Sequence, residues 1–183
     1  MKIGLCAWSF TGKHREAGRE PDPHQAGGLL TLANRYGLAS IEGASGWFEN
    51  LSEADLADFR QDLGKTGVFI DTGGHNYSEN LTPLTLAITA AGRMGAPVVR
   101  TTISSLLEGD RRSLGLQGWR NHLEALVEPL QRASAQAEAA GLAIGIENHQ
   151  DICSHELLWL CEQVGGGHIG VTMDVGNAYA VGE

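Results

Sequence analysis

Six short apolar runs alternate with helix-type patterns along the chain, and this alternation constrains the fold more than any other feature. The runs are Lys2–Ala7, Ala39–Glu42, Val68–Thr72, Pro97–Thr102, Leu142–Glu147 and Ile169–Asp174. Runs of this length and apolarity are typical of buried strands. A strict strand–helix order predicts an α/β fold whose parallel sheet has right-handed crossovers. A doubly wound sheet and a barrel both fit this order. No GxGxxG motif follows the first run, so we expect a barrel.

Capping signals predict five helices between these runs. Asp22 followed by Pro23 predicts the start of the first helix, and Ser52 opens a capping box at the start of the second. Ser154 is the predicted N-cap of the fifth helix. Pro129 lies within the apolar stripe of the long fourth helix, where it predicts a kink or a restart.

Length, charge and cysteine content limit the class of protein. The 183 residues, 42% of them hydrophobic, suit a single domain over residues 1–183. The net charge of −9 argues against nucleic acid as a partner, since a phosphate backbone requires a basic face. No apolar run reaches the ~18 residues of a membrane-spanning helix, and no signal-peptide pattern opens the chain. The three cysteines are odd in number and lack CxxC spacing, which predicts reduced thiols and a cytoplasmic location.

Two consecutive predicted strands end in an acidic residue. Glu147 closes the fifth run and Asp174 closes the sixth. An unpaired carboxylate is expensive to bury, so neither residue suits a core position. At the carboxyl ends of parallel barrel strands, where the loops build the active site, both residues are well placed. Two hard oxygen ligands on neighbouring strands predict a divalent metal site.

Further polar residues follow the predicted strands. His75 and Asn76 come after strand three behind two glycines, and His149 follows Glu147 by two positions; we expect all three in a substrate pocket. Trp8 after strand one is expected either to stack on a sugar face or to pack over the barrel end.

A single arginine interrupts the apolar pattern of strand four. Arg100 is expected either to bind a substrate phosphate or carboxylate, or to pair with Glu42 or Glu147 inside the barrel. Glu42, an acidic residue of strand two, is better explained by a structural role.

Several segments together resemble a known superfamily. They are MKIGLCAWSF, GLASIEG, GAPVVRTTI, AAGLAIGIENHQD and IGVTMDVGNAYAVGE. These segments are similar to the sugar phosphate isomerase/epimerase superfamily, the xylose isomerase-like TIM barrels. The resemblance implies a (β/α)8-type barrel of which this chain has the first six βα units. It also implies one divalent ion (Mn, Mg, Co or Zn), held by a strand-five Glu and a strand-six Asp, which match Glu147 and Asp174. The family's strand-seven His and strand-eight Glu have no counterpart here.

The resemblance also implies an activity. It is isomerisation or epimerisation of a keto sugar or sugar-derived acid through an enediolate, with Glu147 as one acid–base group. Decarboxylation or C–C cleavage of an oxo-sugar acid, with Arg100 on the carboxylate, is the alternative. An abasic-site endonuclease is disfavoured by the negative charge and by Asn177, which stands where relatives carry a His. Asn177 is expected to bind a sugar hydroxyl and to be a poor metal ligand. We expect the 183-residue chain alone to be inactive and to self-associate as a homo-oligomer.

Overall fold

The strands form one parallel sheet in sequential order. A computed structural model describes residues 2–10, 21–106 and 110–183. Its strands are β1 (Gly4–Cys6), β2 (Ser40–Ala44), β3 (Gly67–Gly74), β4 (Val98–Thr102), β5 (Ala143–Glu147) and β6 (Ile169–Thr172). Neighbours follow the order β1-β2-β3-β4-β5-β6, and every pair is parallel. A doubly wound sheet reverses its order at a switch point, and this sheet does not. The predicted barrel-type α/β fold with six βα units is confirmed.

A helix follows each strand. The helices are α1 (Ala26–Arg35), α2 (Glu53–Leu63), α3 (Thr82–Met94), α4 (Gly115–Ala139), α5 (Ser154–Val164) and α6 (Asn177–Ala180). Single 3-10 turns at Ala7–Ser9, Ser45–Trp47 and Asp110–Leu114 stand in the connections. In the part of the chain that the structure describes, no helix combines the length and apolarity needed to cross a bilayer.

The two faces of the sheet differ in chemistry. Apolar strand residues such as Ile70, Val99 and Ile144 are fully buried in the same core as the helix residues Ile88 and Leu126. The alternate strand positions point to the other face, because successive side chains of a strand alternate. On that face Cys6, Glu42 and Arg100 line a cavity of about 610 Å³ inside the sheet. The polar positions of the strands are therefore gathered in the interior, away from the helices.

Two predicted helix starts are corrected by the structure. Helix α1 begins at Ala26 rather than at Pro23, because Asp22 forms a turn. Its carboxylate accepts a hydrogen bond from the backbone N–H of His24 at 2.9 Å, and its carbonyl accepts one from Gln25. Ser154 is the first residue of α5, and Cys153 holds the N-cap position instead.

The remaining predictions of where elements begin and end are confirmed only in part. Ser52 caps α2 as predicted, since its hydroxyl oxygen accepts a hydrogen bond from the Asp55 N–H at 3.1 Å. Helix α4 does not restart at Pro129 but continues through it. Strand β6 ends at Thr172 rather than at Asp174, so Asp174 lies two residues beyond the strand, and Asn177 begins the short helix α6.

Candidate functional site

One arginine and three carboxylates form a cluster on the inner face of the sheet, referred to below as the Arg100 cluster. Arg100 Nη1 donates to Glu147 on β5, and Nη2 donates to Asp71 Oδ2 on β3 at 3.1 Å. Its Nε lies 2.8 Å from Glu42 Oε1 on β2, although the N–H does not point at that oxygen. All three guanidinium nitrogens therefore face carboxylates from neighbouring strands.

The three carboxylates keep this buried guanidinium charged. Burial alone would lower the pKa of Arg100, but Asp71, Glu42 and Glu147 raise it above its ordinary value. Of the two roles predicted for Arg100, the structure displays pairing inside the barrel, with both Glu42 and Glu147. Its predicted role in binding substrate finds no support in this arrangement, because no guanidinium nitrogen is left to face the cavity alone.

Glu147 is buried at the end of β5, with 5% of its surface exposed. Burial raises the pKa of its carboxyl from 4.5 to about 7. Arg100 lowers this pKa, while Asp174, Asp71 and Glu42 raise it further. The carboxyl group is therefore able to gain or lose a proton close to neutral pH.

Asn148 fixes the position of Asp174. Its side-chain nitrogen donates to the Asp174 carbonyl at 2.8 Å, and its side-chain oxygen accepts from the Asp174 N–H at 2.5 Å. One carboxylate oxygen of Asp174, Oδ1, accepts from the backbone N–H of Gly176 at 2.7 Å. This turn leaves the other oxygen, Oδ2, directed at the side chain of Asn177.

The side-chain amide of Asn177 joins the two acidic residues. Its Nδ2 donates to Asp174 Oδ2 at 3.0 Å and to Glu147 Oε1 at 3.3 Å. The structure thus places Glu147 and Asp174 at the same end of the sheet, with one carboxylate oxygen of each directed at Asn177 Nδ2. Carboxylate oxygens on a half-buried or buried surface are the ligands that hard divalent cations prefer, so these residues fit the expected metal.

A cavity of about 800 Å³ opens beside these carboxylates. The predicted site residues that line it are Trp8, Arg100, Glu147, His149, Asp174 and Asn177. The Trp8 ring is 48% exposed, and its indole N–H donates to Asp71. The backbone N–H of His149 donates to the Glu147 carbonyl at 2.9 Å, while His149 Nδ1 is buried and has no hydrogen-bond partner among the described residues.

His75 and Asn76 are not among the described residues that line this cavity, and their role in substrate binding stays a prediction. His75 Nε2 lies 3.0 Å from the Thr72 carbonyl oxygen, and its ring rests against Tyr77. The Asn76 side chain stays in its own turn, where it accepts from Ser78 and donates to Glu79. Local hydrogen bonds of this kind compete successfully with a role in the pocket.

The two glycines before His75, Gly73 and Gly74, also have a structural role. Gly73 has φ 71°, and a Cβ atom on Gly74 would lie 2.3 Å from the Ser104 carbonyl oxygen. The close approach that Gly74 allows is therefore to the loop after β4, and both glycines also line the cavity, where their predicted approach to a sugar stays a prediction.

Sequence reasoning missed three buried polar residues, of which Asp71 lines the cavity. Asp71 is 3% exposed and bonds both Trp8 and Arg100, and Asn148 aligns Asp174. Asp151 is 1% exposed and accepts from Ser104, and burial raises the pKa of its carboxyl. An acidic residue inside an otherwise apolar run was an available signal for Asp71, whereas nothing in the sequence set Asn148 apart from His149.

A second group of potential ligands lies at the start of α5. Ligand atoms of Cys153, His155 and Glu183 lie within 4.8 Å of one another, and among described residues this is the one such group of three His, Cys, Asp or Glu. Two of its members, Cys153 and Glu183, already have other partners. Arg111 donates to Cys153 Sγ at 3.1 Å, and the Glu183 carboxylate accepts from Ser154.

Solved structures share this fold. A D-psicose 3-epimerase crystallised in the presence of D-fructose is 16% identical with a TM-score of 0.74; the alignment covers 98% of this chain and 65% of that one. The probable 3-DHS dehydratase AsbF of Bacillus anthracis, involved in petrobactin synthesis, is 14% identical with a TM-score of 0.69, covering 100% and 66%. The IOLI protein with a bound zinc atom is 16% identical with a TM-score of 0.70, covering 100% and 66%. These identities establish the fold alone, and the chain spans about two thirds of each structure.

Comparison of the sequence with family models identifies a family, which the structural matches alone do not. No curated protein matches the chain. The family model described as "Xylose isomerase-like TIM barrel" matches residues 30–183, which is most of the chain. The chain therefore belongs to the xylose isomerase-like TIM barrel family.

Proposed function

We propose that this chain carries the metal-binding part of an active site that moves a proton next to the carbonyl group of a keto sugar or sugar-derived acid, as isomerases and epimerases do. The observation that carries the proposal is the convergence of Glu147 and Asp174 on one amide group beside the cavity. Epimerases and a zinc-bound protein among the structures with this fold support it.

Glu147 and Asp174 would hold the divalent ion, whether Mn, Mg, Co or Zn. Such an ion polarises a carbonyl and its neighbouring hydroxyl, which acidifies the C–H bond between them. Glu147 is suited to exchange that proton, because its carboxylate lies at the cavity and would sit beside the ion that acidifies the C–H bond. The exposed Trp8 ring offers an apolar surface to the C–H face of a sugar. His149 offers a polar group at the same cavity.

The observations are compatible with dehydration but do not favour decarboxylation or C–C cleavage. Loss of water from a β-hydroxy ketone begins with the same proton abstraction, so dehydration lies within the proposal. Decarboxylation or C–C cleavage of an oxo-sugar acid was expected to use Arg100 on the substrate carboxylate. Arg100 is already paired with three carboxylates of the protein, and no other observation favours that chemistry.

Catalytic turnover should require more metal ligands than these 183 residues provide. The resemblance implies two more ligands on strands seven and eight, and these 183 residues do not include them. Two carboxylates should hold an ion weakly and orient substrate poorly. We therefore expect turnover only in a form of the protein that includes those strands.

Proton exchange is the direct test. In such a form, incubation of ketohexoses with Mn²⁺ in D₂O should place deuterium on the carbon next to the keto group, as detected by NMR. Glu147→Gln should reduce this exchange roughly 10²–10⁴-fold, because it removes the proton acceptor. Glu128→Gln serves as a matched control, because the Glu128 side chain is exposed on α4. Exchange that persists at its full rate after chelation, or in Glu147→Gln, would contradict the proposal.

A further inference from the structure

Asn177 occupies the place where a third ligand of the ion would lie. Its terminal Nδ2 is 3.0 Å from Asp174 Oδ2 and 3.3 Å from Glu147 Oε1. Neighbouring ligand atoms on an octahedral ion with bonds of about 2.1 Å are also separated by about 3.0 Å. The terminal amide atom is therefore spaced from both carboxylates like a fellow ligand, rather than like the ion itself.

The amide can present either of its two ends at that place. An Asn side chain has a donor NH₂ and an acceptor oxygen of nearly the same shape, and the surrounding hydrogen bonds decide which end points where. Between two carboxylates the NH₂ end is favoured, since it donates to both. With a cation between the same carboxylates the oxygen end is favoured, since an N–H dipole would be repelled.

The surroundings allow this rotation without movement of the backbone. The Asn177 backbone N–H bonds Asp174 Oδ1 at 3.3 Å, which anchors the residue at the start of α6. Among hydrogen bonds between described residues, none uses Asn177 Oδ1, so no bond has to break at that end.

We propose that Asn177 is a third protein ligand of the divalent ion, and that its side-chain amide turns over on metal binding, from Nδ2 on the carboxylates to Oδ1 on the ion. This inference rests on the proposed metal site. It revises the expectation that Asn177 is a poor ligand, because amide oxygens are ordinary ligands of hard cations. Glu, Asp and Asn oxygens form the kind of ligand set that suits Mn²⁺ or Mg²⁺.

Mn²⁺ titration, by calorimetry, of the form of the protein that includes strands seven and eight tests the ligand role. All proteins carry His155→Ala, which removes the second group of potential ligands at the start of α5. Asn177→Leu should weaken Mn²⁺ binding by about tenfold or more, because it removes the oxygen at similar size. Asn177→Asp should strengthen binding by about tenfold, because its carboxylate is a stronger ligand.

Matched substitutions at Asn121 control for size and charge. Asn121 is exposed on α4 and bonds Gln117, away from the cavity. Asn121→Leu and Asn121→Asp should leave Mn²⁺ affinity within about twofold, since added charge on an exposed helix is screened. A readout of the rotation itself comes from NMR. The Asn177 NH₂ protons should exchange slowly in the metal-free chain and faster after addition of Mg²⁺.

The outcomes separate the inference from the proposed function. If the parent form with strands seven and eight binds no Mn²⁺, or binds it equally well with Glu147→Gln, the metal site is wrong and the inference falls with it. If Glu147→Gln abolishes binding while Asn177→Leu binds as tightly as the parent or more tightly, only the inference is wrong, and the amide merely separates the carboxylates.

Discussion

Replacing Glu147 by Gln should stabilise the fold at alkaline pH while changing its stability little at acid pH. The folded protein holds the pKa of this carboxyl at about 7, against an ordinary value of 4.5. Protonation of Glu147 therefore favours the folded state. The resulting contribution to stability is fully present below pH 4.5 and is lost as the pH rises through 7.

The size of the effect follows from that difference. A displacement of roughly 2.5 pH units corresponds to about 3 kcal/mol of unfolding free energy. The carboxylate is 6% exposed, so solvent screening does not reduce this figure much. Gln has nearly the same shape and does not titrate. The stability of Glu147→Gln relative to the parent chain should thus rise by about 3 kcal/mol between pH 4 and pH 8.

Urea unfolding at closely spaced pH values measures this difference. Glu128→Gln is the control, since Glu128 is exposed and its pair with Arg132 is a surface pair worth little. Its stability should stay parallel to that of the parent chain throughout. If the curve of Glu147→Gln is parallel as well, then Glu147 is not held in its protonated form by burial, and the reasoning from its raised pKa is refuted.

Two further predictions concern the Arg100 cluster and the edges of the sheet. Arg100→Met should destabilise the fold by about 3–5 kcal/mol at pH 8, because it leaves three carboxylates without their cation, whereas Arg132→Met should cost less than about 1 kcal/mol. Thermal unfolding checks this, and a loss below 1 kcal/mol for Arg100→Met would contradict it. The chain should also self-associate, because in its described residues β1 and β6 have one neighbour each and Met173 beside β6 is 65% exposed. Sedimentation should give a mass above 19.5 kDa, and a stable monomer would show the prediction wrong.

The sequence predicted the order of elements because that order is set by local chemistry. Apolar runs bounded by Gly, Pro and capping residues identify strands and helices one at a time, and Ser52 shows that a cap can be read directly. Exact starts depend on competition between neighbouring turns. Asp22 has two ways to bond the backbone, and the turn it forms moved α1 to Ala26.

The candidate site was predictable only where chain position alone decides location. Glu147 and Asp174 were found because parallel strands bring their carboxyl ends together. His75 and Asn76 satisfied the same rule, but side-chain bonds within their own turn hold them elsewhere. Asp71 and Arg100 are 29 residues apart in the chain, so their pairing depends on strand register, which the sequence does not display.

The charge balance of the inner face gives an independent reason to expect a cation. Arg100 contributes one positive charge against Glu42, Asp71 and Glu147, and Asp174 lies beside them. This surplus of negative charge is part of what raises the pKa of Glu147. Buried charges are normally paired or bound to metal, and a divalent ion beside Glu147 and Asp174 would reduce the surplus from three negative charges to one. The same ion would lower the pKa of Glu147, so the pH dependence of the fold should weaken as Mn²⁺ is added. Stability curves of the parent chain, measured with and without Mn²⁺, test this prediction. If the two curves have the same slope between pH 4.5 and pH 7, the surplus of negative charge does not serve to bind the metal.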